Sequence, residues 1–156
     1  SLAKDRAIEL KMNNINNIIE AILPLISSDA NANQVNINIG LAGVPDILLD
    51  EKEIRQLILN LVRNGFEAMD AGGELSISTY AENDEIILSV KDQGDGIAED
   101  IIEKLGTPFF TTKDKGTGLG LAVCYSIAAR HKAKIKVVTG KTGTTFLVRF
   151  PVTTGN

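Results

Sequence analysis

Apolar positions change their period several times along the chain, and each change marks an element. Ile8, Met12, Ile15, Ile19 and Ile22 recur at helical spacing, which predicts a helix over about residues 2–23 with Pro24 closing it. The composition of Ser27 to Asn33 predicts a loop. Val35, Ile37 and Ile39 alternate with polar residues, as a half-buried strand does, and Ile47–Leu49 is a short apolar run that suits another. Asp50, followed three residues on by Glu53, has the capping-box pattern and opens a helix to about Met69, which Gly72-Gly73 breaks. Leu75, Ile77, Thr79 and then Ile86, Leu88, Val90 alternate on either side of Glu82-Asn83-Asp84, predicting an antiparallel hairpin. A short helix near 99–105, a loop over 106–116, a helix from about Thr117 to Arg130 and two strands, 135–139 and 144–150 around Gly143, complete the series. Helices interleaved with hairpin-linked strands predict an α+β fold, a two-layer sandwich with helices covering one mixed, mostly antiparallel sheet.

Composition narrows the setting. The 156 residues fit one domain, and 44% apolar with 23% charged residues is ordinary for a soluble globular chain. A formal net charge of −4 with no lysine/arginine run argues against nucleic acid as a partner. The sequence has no apolar stretch of transmembrane length, so membrane contact is not expected. One cysteine, Cys124, allows no internal disulfide; in an apolar helical stretch it reads as a buried small side chain, which fits a reducing, cytoplasmic setting. One histidine, His131, rules out a multi-histidine metal site.

Four short elements carry candidate chemistry. Asn60 and Asn64 stand four residues apart on the helix from Asp50, on a stripe separate from its apolar arc. Asparagine forms helices poorly, and amide oxygens at that spacing can face a hard cation such as Mg²⁺ together. Asp92-Gln93-Gly94-Asp95-Gly96 follows a strand directly; a carboxylate there can accept a hydrogen bond from an exocyclic amine while glycines let a flat ring approach. Gly116-Thr117-Gly118-Leu119-Gly120-Leu121 opens a helix, where free N–H groups make an anion seat that is not a P-loop. Pro108-Phe109-Phe110-Thr111-Thr112-Lys113 precedes it, a polar loop with two phenylalanines that suits a hinged lid. Taken singly, each keeps a plainer reading: a solvated helix face, an Asp-Gly turn, a glycine-rich linker, a static hydrophobic plug. Their order makes the joint signal one of ATP.

Taken in chain order, with Pro108–Lys113 before Gly116–Leu121, the four elements resemble the N, G1, F and G2 boxes of the ATP-binding catalytic domain of two-component sensor histidine kinases. That domain falls in the wider class shared with gyrase, mismatch-repair ATPases and a heat-shock chaperone. The Pro-Phe-Phe-Thr-Thr-Lys form looks most like the nitrogen-regulatory and sporulation kinases. The likeness covers about Val35 to Val152 and includes Gly143-Thr144. It implies the α/β sandwich of the Bergerat type, with Asn64 ligating Mg²⁺ and Asn60 supporting it. It further implies Asp92 on the adenine amine, Gly94 and Gly96 lining the base, and Thr144 near Asp92. Gly116, Gly118 and Gly120 with Thr117 and Leu119 would hold phosphates; Phe110, Thr112, Lys113 and Lys115 are the lid's candidate contacts. Two departures stand out. Glu67 occupies a position where many sensor kinases carry lysine, and Lys132-Ala133 follow His131 where the family has Gly-Gly, so a different turn is expected.

The resemblance also assigns a direction to the chemistry. ATP-hydrolysing relatives place a general-base glutamate where this chain has Asn60, and an amide cannot take the proton from water. Phosphoryl transfer to a histidine is expected instead. His131, at a helix C-terminus beyond the phosphate seat, reads as structural. The acceptor is therefore expected on a separate dimerisation domain of the same, homodimeric kinase, with a response regulator downstream. Residues 1–30 are then expected to be the tail of the dimerisation helix and a linker, and 31–156 the catalytic domain. A serine kinase of the anti-sigma-factor type and a non-catalytic nucleotide-binding module are the alternatives.

Overall fold

The computed structural model describes residues 7–104 and 119–152. Five strands, β2 (Asn36–Leu41), β4 (Glu74–Glu82), β5 (Glu85–Lys91), β6 (Lys134–Gly140) and β7 (Gly143–Pro151), form a sheet in the order β2-β4-β5-β7-β6. Only β2 and β4 pair in parallel; the other neighbours are antiparallel. A separate two-stranded ribbon joins β1 (Lys11–Asn13) to β3 (Ile47–Leu49). Helices α1 (Ile15–Ala32), α2 (Glu51–Ala68) and α4 (Leu119–Arg130) lie on one face of the sheet, and α3 (Glu99–Ile102) is a single turn. The α+β sandwich is as the periodicity predicts.

The alternation explains which face is covered. Leu75, Ile77, Leu88, Val90, Phe146, Val148 and Phe150 are buried beneath the helices, while Ser76, Ser78, Ser89 and Thr145 on the opposite face stay partly exposed. The β4–β5 hairpin turns through Asn83 and Asp84, whose φ values of 50° and 62° give the left-handed turn that matches strand twist.

The N-terminal third departs from the expected pattern. The helix predicted over 2–23 begins at Ile15 and runs to Ala32, through Pro24 and through the stretch expected as a loop. Asn14 starts it, its side chain accepting from the Asn16 N–H at 3.0 Å. Pro24 costs one backbone hydrogen bond, but Ile15, Ile18, Ile19 and Ile22 before it and Ile26 and Ala30 after it are all buried, and that burial outweighs the loss. The asparagines that enrich this region have work to do: Asn14 Nδ2 donates to the Val44 carbonyl (2.8 Å), and Asn16 Oδ1 accepts from the Thr79 hydroxyl (2.6 Å). The boundary expected at residue 30 thus falls inside a helix of the domain's core.

The capping box of α2 is half formed. Asp50 Oδ1 accepts from the Glu53 N–H at 3.2 Å, but the Asp50 N–H donates to His131 Nε2 at 3.1 Å. The buried Glu53 carboxylate turns to Arg130, whose Nε lies 3.0 Å from both of its oxygens. His131 is therefore a structural residue, its Nδ1–H donating to the Ile127 carbonyl at 2.8 Å. With one nitrogen donating and the other accepting, the ring is neutral, and burial lowers its pKa from the ordinary 6.5. The following turn keeps a glycine-type geometry after all: Lys132 sits at φ 57°, and Ala133 N–H reaches the Ala128 carbonyl at 2.8 Å, closing a Schellman motif.

Candidate nucleotide site

Strand β5 delivers Asp92 to the C-terminal end of α2. The side chain is buried, and its Oδ1 accepts from two backbone N–H groups, Gly94 at 2.8 Å and Thr144 at 3.2 Å. The Asp92 N–H in turn donates to the Thr144 carbonyl at 2.9 Å, so the β5 end and the start of β7 hold one another. That leaves a carboxylate of fixed orientation at a strand end, the arrangement suited to an amine donor.

Glycines make this closeness possible. Gly143 has φ 147°, and a Cβ there would run into the Asp92 carbonyl. Gly96, at φ 86°, lies against the Gly140 carbonyl in the same way. Gly94 backs onto Ala68 at the end of α2. Gly65, which the sequence reading passed over, packs on Leu75 and faces the Asp92 Cβ from α2. Its position beside Asn64 was the available sign.

The asparagine pair is brought to the same region with unequal roles. Asn64 is half-buried on the turn that carries Gly65 over Asp92. Asn60, one turn earlier, donates from Nδ2 to the Gly120 carbonyl in the first described turn of α4 at 3.3 Å. Its side chain also meets the Cys124 thiol, which burial pushes up to about 12, with the Asn60 hydrogen bond acting against that shift. Cys124 is buried and unreactive at neutral pH, as its apolar setting led one to expect. Asn60 thus joins the helix of Asn64 to the helix that follows the glycine seat.

Thr144 is buried next to Asp92, and its Oγ1 lies 2.8 Å from Thr139 Oγ1 directly across the β6–β7 ladder. Thr139 also accepts from the Ile97 N–H at 2.8 Å, tying down the far end of the Asp92–Ile97 turn. Sequence reading missed Thr139, whose sign was its register opposite Thr144. Gly120 is exposed at the start of α4. Phe110, Thr112, Lys113, Lys115, Gly116, Thr117 and Gly118 lie outside the described residues, as does the Leu119 side chain. A cavity of about 90 Å³ beside Leu48, His131 and Phe150 belongs to the other end of α4. It contains none of the motif residues.

Residues 49–154 match the family described as histidine kinase-, DNA gyrase B-, and HSP90-like ATPase. The chain belongs to that family. Sporulation kinase C of Bacillus subtilis (strain 168) is 34% identical over 155 residues, covering 97% of this chain and 36% of that protein. The chain therefore spans about a third of that relative's length. The solved catalytic domain of histidine kinase ThkA, in a nucleotide-free form, superposes with a TM-score of 0.84 at 29% identity, over 92% of this chain and 96% of that one. ThkA in complex with the response regulator protein TrrA matches with a TM-score of 0.81 at 26% identity, over 94% of this chain and 42% of that one. Both the sandwich and the likeness of the chain to sporulation kinases are as expected from sequence.

Proposed function

We propose that this chain is the ATP-binding catalytic part of a sensor histidine kinase. It holds Mg-ATP and passes the γ-phosphate to a histidine on a separate dimerisation domain of the same kinase. The observation that carries the reading is the buried Asp92 carboxylate, fixed by the Gly94 and Thr144 N–H groups beside the α2 turn that bears Asn64. An oriented carboxylate suits the amine of adenine. A neutral amide oxygen on Asn64 suits Mg²⁺, which when bound spreads the charge of the phosphates. Asn60, its Nδ2 committed to Gly120, supports that ligand and couples it to the phosphate end of α4. Lys113, Lys115 and the residues from Gly116 to Gly120 complete the phosphate contacts.

The residues do the work by position and charge. The partner imidazole nitrogen attacks the γ-phosphorus in line, the bond to the bridging oxygen breaks, and ADP leaves. With an amide at Asn60, the position of the hydrolysing relatives' general base offers water no proton acceptor, and hydrolysis is slow. Support for a response regulator as the next acceptor comes from the ThkA–TrrA complex, and the parent kinase is read as a homodimer. Among the described residues no helix is long and apolar enough to cross a membrane. The work is assigned to the cytoplasm, where ATP is available.

The test mixes this chain with a separate histidine-bearing dimerisation domain and γ-labelled Mg-ATP. Acid-labile, base-stable label on the partner is the expected result. Label on serine overturns the reading in favour of a serine kinase, and Mg-ATP binding without transfer favours a binding module.

A further inference from the structure

The peptide between Asp92 and Gln93 is held at both of its polar edges. Its N–H, that of Gln93, donates to the Met69 sulfur at 3.1 Å, at the end of α2. Its carbonyl, that of Asp92, lies against Gly143, where a Cβ would overlap it. N–H and C=O point in opposite directions across a trans peptide, so a push on one edge drives the other into its neighbour. The sulfur is closed in on a further side, since a Cβ at Gly73 would stand 3.0 Å from it. Gln93 Oε1 also accepts from the Glu74 N–H at 3.0 Å, which ties the turn after Asp92 to the start of β4. Met69 packs against the core but stays partly open to solvent. The other methionine of the chain, Met12, is exposed on β1.

We propose that Met69 is an oxidation site through which hydrogen peroxide weakens nucleotide binding. The thioether gives an electron pair to one peroxide oxygen and the O–O bond breaks. The departing hydroxide takes the proton of the transferred hydroxyl and leaves as water. Met69 is oxidised to the sulfoxide and the peroxide is reduced. One epimer sets the new oxygen on the lone pair that faces Gln93, and it displaces the N–H. In the other, the oxygen draws charge from the sulfur and weakens it as an acceptor. Either way the Asp92–Gln93 peptide shifts between the sulfur and Gly143. Asp92 Oδ1, held by the Gly94 N–H at 2.8 Å one peptide further on, turns with it and loses its aim at the amine of the base. This rests on the nucleotide reading above and adds to it a redox control of the same site.

The experiment uses the 156-residue chain carrying Met12→Leu, which leaves Met69 as its one methionine. Equilibrium binding of Mg-ATP is measured before hydrogen peroxide treatment, after it, and again after methionine sulfoxide reductases have restored the thioether. Mass spectrometry locates the added oxygen. The expected result is one oxygen on Met69, a loss of about tenfold in affinity, the worth of a hydrogen bond to a charged group, and recovery with the reductases. The chain with both Met12→Leu and Met69→Leu is expected to keep its own starting affinity through the treatment. Unchanged affinity with Met69 oxidised overturns the proposal, as does a folded chain in which peroxide leaves Met69 untouched. A loss that the reductases do not reverse, or that the Met69→Leu chain shares, arises elsewhere and overturns it too. The before-and-after comparison needs no substitution at Met69 to fold. Failure of the untreated chain to bind Mg-ATP at all refutes the nucleotide reading itself, and this proposal with it.

Discussion

At the scale of single residues, the site depends on groups whose orientation is fixed by backbone hydrogen bonds. Asp92→Asn keeps an oxygen for the Gly94 and Thr144 N–H groups but offers an NH₂ where the adenine amine would come. A hydrogen bond to a charged group is worth about 1.5–3 kcal/mol, so ATP affinity should fall on the order of tenfold to a hundredfold with the melting temperature little changed. Titration with a fluorescent ATP analogue beside a thermal melt checks both halves. Asn60→Asp is the sharper test of the link between helices. It replaces the donor to the Gly120 carbonyl with an acceptor, setting two oxygens face to face. The expected outcome is a loss of about 1–3 kcal/mol in stability and a large drop in phosphoryl transfer, with no gain in ATP hydrolysis, because the aspartate carboxylate is one methylene shorter than the glutamate of the hydrolysing relatives. Rapid hydrolysis by this variant would show that the amide alone was suppressing it.

At the scale of elements, the N-terminus of α2 and the C-terminus of α4 form one joint. Asp50 and His131 exchange a backbone-to-ring hydrogen bond, and Glu53 and Arg130 pair beside it. Burial keeps His131 neutral, its pKa lowered from 6.5, with Glu53 and Asp50 acting against that shift and Arg130 with it. Below about pH 6.5 the unfolded chain takes up a proton that the folded chain refuses, so stability falls as pH falls through that value toward the folded pKa. Thermal melts across this range should show that slope, and His131→Gln should flatten it while lowering stability at neutral pH. The neighbouring turn gives a prediction of opposite sign. Lys132 occupies a left-handed conformation at φ 57°, and Lys132→Gly should relieve it, raising stability by roughly 0.5–1 kcal/mol in a urea titration. Beyond the Asp50 cap and a structural role for His131, the pairing within this joint was not legible in the sequence. Its partners are 81 and 77 residues apart, and no local period links them. The hairpin at Asn83-Asp84 and the strand alternation were legible because their determinants are neighbours along the chain.

At the scale of the whole molecule, the motif residues were readable where they carry distinctive chemistry, Asp92 and the asparagine pair above all. Thr139 and Gly65 were not, because their roles arise only when β6 meets β7 and α2 meets Leu75. The first helix was misplaced for the same reason: Pro24 is a strong local stop, and only the assembled core shows why the helix continues through it. We propose that the folding unit begins at β1, ahead of α1. Five isoleucines of α1 are buried, and at about 1.5–3 kcal/mol each their removal from water approaches the 5–15 kcal/mol that stabilises a typical domain. A chain shortened to begin at Asn33 should therefore lose its cooperative melt and expose the apolar face of α2, binding a hydrophobic dye. One shortened only to begin at Ala7 should melt like the original. A cooperative transition with intact ATP binding in the chain that begins at Asn33 would mean that α1 is an appendage, and would return the boundary to residue 30.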